Sequence, residues 1–241
     1  MIGIFDSGSG GLTVLAELLK RVPRADVLYF GDIANVPYGT KTERELRALT
    51  IGAVDFLIKN GAWDLISACN SVSARTVLAD HRIDRAILEM VEPTVEALAN
   101  ESGEILLDGT LATVRSGIYQ QAFAKQGKKI HVLPIAPLAA LVEAGVPGEQ
   151  VAEVIKHALS AAPEADALVL GCTHFPLVRG QFQRFFAGRI VDPASYVAEK
   201  AVQKFETKGS GTLRFVITKD SEPFRRRVAE LFGGLYSIDV I

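Results

Sequence analysis

The segments Ile2–Phe5 (IGIF), Val27–Gly31 (VLYFG) and Asp166–Gly171 (DALVLG) are apolar at nearly every position, so a strand built from any of them needs cover on both faces. The same pattern takes in Asp64–Ala68 (DLISA), Glu104–Asp108 (EILLD), Lys129–Leu133 (KIHVL), Arg189–Asp192 (RIVD) and Leu213–Thr218 (LRFVIT). Between these runs lie LTVLAELLKRV, ERELRALTIGAVDFLIKNG, GEQVAEVIKHALSAA and SYVAEKAVQKFETK, whose apolar residues recur three and four apart, the period of a helix with one buried face. Strand and helix in alternation predict an α/β chain with mostly parallel, helix-covered sheets. With 241 residues, 49% of them hydrophobic, the chain can build two such units. Weak breaks at ESGE after Asn100 and at TKGSGT, Thr207–Thr212, suggest two similar α/β domains: residues 1–92 with 208–241, and residues 93–207. In open α/β sheets ligands bind beyond the carboxyl ends of the strands, which places the expected active site in the cleft between the domains.

Charge narrows the choice of partners. A net charge of -2 gives no electrostatic reason to expect nucleic acid or an anionic membrane. The three arginines at Arg225–Arg227 are read as a solvated helix face. MIGIFD meets Asp6 before a signal-peptide core can form, and the apolar stretch Val132–Val142 is broken by Pro134 and Pro137, so the expectation is a cytoplasmic protein with no membrane segment. Thiols stay reduced there, and the only two cysteines, about a hundred residues apart, are better candidates for catalysis than for a disulfide.

Each cysteine follows a strand candidate and precedes small polar residues: Cys69 in ACNS and Cys172 in GCTHF. An isolated cysteine there would be read as a small buried hydrophobe, but two in matching contexts, each near a possible proton partner, favour chemistry. Another strand end carries FDSGSGG, Phe5–Gly11, where glycines let backbone amides approach a ligand and the following helix offers its positive end to an anion. Thr13 stands where a dinucleotide fingerprint needs Gly or Ala, and no P-loop lysine is present, so a small carboxylate is the better guess. Asp6 could orient or deprotonate a neighbour there, or simply cap a turn. GDIANVPYGTKT and DGTLATVRSGIY likewise put hydroxyls and amides past strand ends, which suits a small polar substrate held by many hydrogen bonds.

Taken in order, IGIFDSGSGGLTVL, GDIANVPYGTKT, ISACNSVSA, GTLATVRSGIY, LVEAG at Leu141–Gly145 and LVLGCTHFPL resemble the glutamate racemases of the aspartate/glutamate racemase superfamily. The resemblance implies a cofactor-independent two-base racemase in which Cys69 and Cys172 flank the substrate Cα, one as thiolate base and the other as thiol acid. It also implies that Asp6 assists Cys69 and His174 assists Cys172, with helix N-termini after both cysteines favouring thiolate. Substrate contacts carried over by motif position are Ser7, Pro37, Tyr38, Gly39, Asn70, Ser71, Thr110, Thr113 and Thr173. Glu143 is either a site residue or a helix-surface acid. No metal is expected, since Cys172 and His174 alone supply too few ligands, and His81, His131 and His157 have no motif context. Ser71 stands where the family has Thr, and Asn35 where it often has Arg. The family further implies a homo-oligomer, usually a dimer, making D-glutamate for peptidoglycan. A racemase of another amino acid such as aspartate, or a non-catalytic amino-acid-binding or regulatory protein, are the alternatives.

Overall fold

The computed structural model describes residues 1–72, 87–234 and 236–241, so His81 lies outside the described residues. Two parallel sheets carry the fold. The first has six strands, Ile2–Asp6 (β1), Val27–Gly31 (β2), Asp64–Ser67 (β3), Ile87–Glu89 (β4), Leu213–Ile217 (β9) and Ile238–Val240 (β10), in the order β10-β9-β2-β1-β3-β4. The second has four, Ile105–Gly109 (β5), His131–Pro134 (β6), Ala167–Gly171 (β7) and Arg189–Val191 (β8), in the order β6-β5-β7-β8. The apolar runs read from the sequence supply all but β4 and β10, whose three residues each are too short to show a period.

Register aligns the strand ends that matter. Asp6 pairs with Gly31 and Phe5 with Ser67, so Ser7, Asp32 and Cys69 leave the first sheet at one edge. Gly109 pairs with Gly171, so Thr110 and Cys172 leave the second sheet side by side. β6, paired with β5, leads into the helix Leu138–Glu143, which delivers Glu143 to the same edge.

The loop after β2 is anchored where its helix begins. Thr42 and Glu45 form a capping box, with the Thr42 amide donating to the Glu45 carboxylate at 2.8 Å, which starts the helix Glu43–Lys59 directly after the VPYGTK segment. On the other face the helix Leu12–Arg21 buries Leu12, Leu15 and Leu18 against Ala194, Val197, Ala198 and Ala201 of the helix Pro193–Lys204. Each such leucine contributes roughly 1.5–3 kcal/mol by burial. The helix Pro193–Lys204 also touches Val91–Ala97 and β7, so it forms a layer shared by both sheets instead of belonging to one. No helix of the described residues is long and apolar enough to cross a membrane.

Candidate active site

The two strand edges face each other across a cavity of about 480 Å³ that both cysteines line. Each thiol is buried, at 5% exposure, and each has its own partner. Cys69 Sγ donates to Ser7 Oγ at 3.9 Å, while Cys172 Sγ lies 3.9 Å from His174 Nδ1. Burial, with the Asp6 charge adding to it, pushes the Cys69 thiol well up from its ordinary value. Asp6 is itself spoken for: Oδ1 accepts from the Gly8 amide at 2.8 Å and Oδ2 from Thr173 Oγ1 at 2.9 Å, tying the first sheet to the residue beside Cys172.

His174 is the centre of the second half of the site. Its Nε2 meets Glu143 Oε2 at 2.6 Å, and both side chains are buried. Burial works against a charged ring, yet the contacts with Cys172 and Glu143 raise His174 well above its ordinary value. Burial likewise opposes the Glu143 carboxylate, but His174 and the Ser9 donors bring it down to about 2. Both shifts favour the charged pair, with His174 Nε2 on Glu143 and Nδ1 facing Cys172.

Glu143 also accepts from Ser9 N at 3.0 Å and Ser9 Oγ at 2.6 Å. This adds to the expectation for the glycine-rich loop, whose Ser7 lines the cavity. The amide beside the helix N-terminus is taken by the protein's own carboxylate, and the glycines are there because the two halves meet across them. A Cβ on Gly8 would stand 2.8 Å from Glu143 Oε2, and one on Gly10 would stand 2.5 Å from Thr173 Oγ1 and 2.8 Å from the His174 backbone N. Gly10→Ala should therefore cost roughly 1–3 kcal/mol of stability through overpacking. Urea unfolding tests this, and an unchanged midpoint would mean the halves do not approach so closely.

The helix expected after Cys172 begins as a 3-10 turn, Phe175–Val178, with Pro176 in its first turn, and continues as the helix Arg179–Phe185. The helix expected after Cys69 falls on residues 73–86, outside the described residues. Of the expected substrate contacts, Ser7, Pro37, Tyr38 and Gly39 line one side of the cavity, and Asn70, Ser71, Thr110 and Thr173 line it elsewhere. Asp6 and Thr113 stand behind this lining, each 1% exposed, with Thr113 Oγ1 holding Thr110 Oγ1 at 3.0 Å. Ser71 Oγ reaches Thr110 Oγ1 at 2.9 Å, so its hydroxyl joins the threonine cluster. Tyr38 OH donates to Asp32 at 2.7 Å, and Asn35 Nδ2 bonds both oxygens of the same carboxylate at 2.9 and 3.1 Å. Asn70 Oδ1 accepts from Tyr119 OH at 2.5 Å, and its buried Nδ2 donor has no partner among the described residues. An acceptor such as a carboxylate satisfies it.

Some lining residues carry no motif. Lys219–Pro223 reach the cavity because β9 pairs with β2 and ends at the same edge, a position the strand-end rule points to. The Arg225–Arg227 expectation is corrected in part. Arg225 and Arg226 pair with exposed acids, but Arg227 is buried, since it shares the helix face of Phe224 and Val228 at spacings of three and one. His131 and His157 stay away from the cavity.

Residues 5–201 match the Asp/Glu/Hydantoin racemase family. Over 238 residues the chain is 35% identical to a glutamate racemase of Aquifex aeolicus, covering 96% of this chain and 94% of that protein. Its fold superposes on the glutamate racemase of Francisella tularensis in complex with D-glutamate with a TM-score of 0.89 at 25% identity, covering 100% of this chain and 96% of the other. The glutamate racemase of Thermus thermophilus in complex with beta-chloro-D-alanine gives a TM-score of 0.85 at 31% identity, with 100% and 96% covered.

Proposed function

The chain belongs to the Asp/Glu/Hydantoin racemase family, and on that premise we propose that it interconverts L- and D-glutamate by moving a proton between the two faces of Cα. The observation that carries this reading is the pair of buried thiols on one cavity, one beside the Ser7 hydroxyl and the other beside the His174 ring. Inversion at Cα needs a base on one face and an acid on the other, and returning the product needs the two to exchange roles. Burial and the Asp6 charge favour the thiol form of Cys69, so Cys69 is read as the acid. Cys172 takes the substrate proton, with His174 Nδ1 the group placed to exchange a proton with it. In the reverse direction Cys69 is the base, with Ser7 at its sulfur and the Asp6 charge acting on it.

A Cα proton is hard to remove without an electron sink, and this reading invokes no cofactor. The charge that develops on the substrate α-carboxylate must therefore be met by fixed donors. Asn70 Nδ2, unpartnered among the described residues, and the Ser71 and Thr110 hydroxyls are the donors on hand. The likeness to structures holding D-glutamate and beta-chloro-D-alanine supports a small amino acid as substrate. By the same kinship the D-glutamate would serve peptidoglycan assembly, made in the cytoplasm by a homodimer.

Proton NMR of L-glutamate, then D-glutamate, with the protein in D2O tests the reading alongside a chiral assay. Loss of the Cα proton with inversion is expected from both enantiomers. No exchange with glutamate, aspartate or any other amino acid would overturn it.

A further inference from the structure

The helix Glu222–Phe232 packs Phe224 and Val228 into the core of the first sheet, yet its Arg227 reaches the second half of the molecule. Arg227 is 9% exposed. Its Nη1 donates to Ser9 Oγ and also faces the Glu143 backbone oxygen at 3.3 Å and Glu143 Oε2 at 3.5 Å, while Nη2 donates to the Val142 backbone oxygen. Ser9 passes the bond on, since its Oγ accepts from Arg227 and donates to Glu143 Oε2. A continuous chain thus runs from Arg227 through Ser9, Glu143 and His174 to Cys172.

The load on Glu143 is uneven. Oε2 faces Ser9, His174 and Arg227, whereas the buried Oε1 has no partner among the described residues. The direction of the carboxylate therefore depends on donors converging on one oxygen, and only Arg227 holds both that oxygen and the backbone on which Glu143 sits. A planar fork with fixed charge does this where a single ammonium cannot span the same acceptors. Arg227 and Ser9 come from the half that carries Cys69, and Glu143 and His174 from the half that carries Cys172, so the same bonds latch one half to the other.

We infer that Arg227 is a positioning residue for the Cys172 face of the reaction, acting through Ser9 and Glu143 on the orientation of His174. The inference rests on the racemase reading above. Its consequence is directional: loss of Arg227 slows proton transfer through Cys172 and leaves transfer through Cys69 intact. Because the two enantiomers have equal free energy, kcat/KM must fall equally in both directions, so rates alone do not reveal the direction. Isotope effects do.

The test uses the full chain with Arg227→Met, Arg227→Lys, Ser9→Ala, Glu143→Gln and, as a surface control, Arg226→Met. Racemisation is followed with L- and D-glutamate deuterated at Cα. In Arg227→Met kcat/KM is expected to fall by up to about 10²-fold, with Arg227→Lys between it and the wild type. The isotope effect should rise for one enantiomer and fall for the other, in the same sense as in Glu143→Gln, and the Arg226 variant should match the wild type. Isotope effects that change alike for both enantiomers, or not at all, would overturn the inference. If Arg227→Met does not fold, Arg227→Lys and Ser9→Ala must show the same one-sided shift or the inference fails. A wild type that exchanges no Cα proton would remove the racemase reading and this one with it, whereas an active wild type with symmetric variants overturns the role of Arg227 alone.

Discussion

Cys69→Ser and Cys172→Ser are each expected to abolish racemisation of glutamate, with kcat/KM falling by about 10³-fold or more in both directions. General acid–base catalysis by a placed side chain contributes on the order of 10²–10⁴-fold, and either substitution leaves one face of Cα without its proton carrier. A hydroxyl fills nearly the volume of the thiol, so the fold should survive, and both side chains sit on a cavity where a small change in size is tolerated. Thermal melts would confirm that loss of activity is not loss of structure. A single-thiol variant that racemises near the wild-type rate would sink the two-base reading, because one acid–base group would then serve both faces.

Glu143→Gln should have the next largest effect, on activity and on stability together. It removes the anion beside a buried imidazolium, and breaking a buried pair from one side costs on the order of 3–5 kcal/mol unless the remaining group discharges. His174 can discharge, so part of the cost should appear as a neutral ring that no longer holds its proton for Cys172. The pH dependence comes from the signs of the two shifts. Glu143 is lowered from 4.5 to about 2, so its contribution is present above pH 4.5 and is lost as the pH falls through 2. His174 is raised well above 6.5, so its contribution is full below pH 6.5 and fades as the pH rises through the raised value. The two shifts describe one interaction, and it stabilises most between pH 4.5 and 6.5. The stability difference between wild type and Glu143→Gln, from urea unfolding across pH, should be greatest in that window and shrink on either side. A difference independent of pH would mean that His174 and Glu143 are not an ion pair.

Much of the site could be read from local sequence because each piece comes directly after a strand. Cys69, Cys172, Ser7 and Thr110 were expected at strand ends, and the parallel register of β1 with β3 and of β5 with β7 brings each pair of ends together. Glu143 was undecided between site and surface, since a single acid in LVEAG has no periodic signature. Its place on the cavity is fixed by Ser9 and His174, 134 and 31 residues away in sequence. The glycines of FDSGSGG mark a place of close approach in the sequence, but that Glu143, Thr173 and His174 are what approach Gly8 and Gly10 is visible only in the structure. Arg227 was hidden by its neighbours Arg225 and Arg226, although Phe224 and Val228 mark the buried face on which it lies.

What the sequence determined by itself was a class and a set of strand ends: apolar runs separated by helical periods admit little besides helix-covered parallel sheets, and such sheets put their chemistry at the carboxyl edges. What only the tertiary structure decided was which groups from the two sheets meet. The Asp6–Thr173 and Ser9–Glu143 hydrogen bonds and the Arg227 contacts with Glu143 all join residues more than a hundred positions apart or on opposite halves. Periodicity along a chain is set by the backbone's own geometry, within a few residues. Partners across a cleft are set by how two packed cores dock, and no local pattern carries that information.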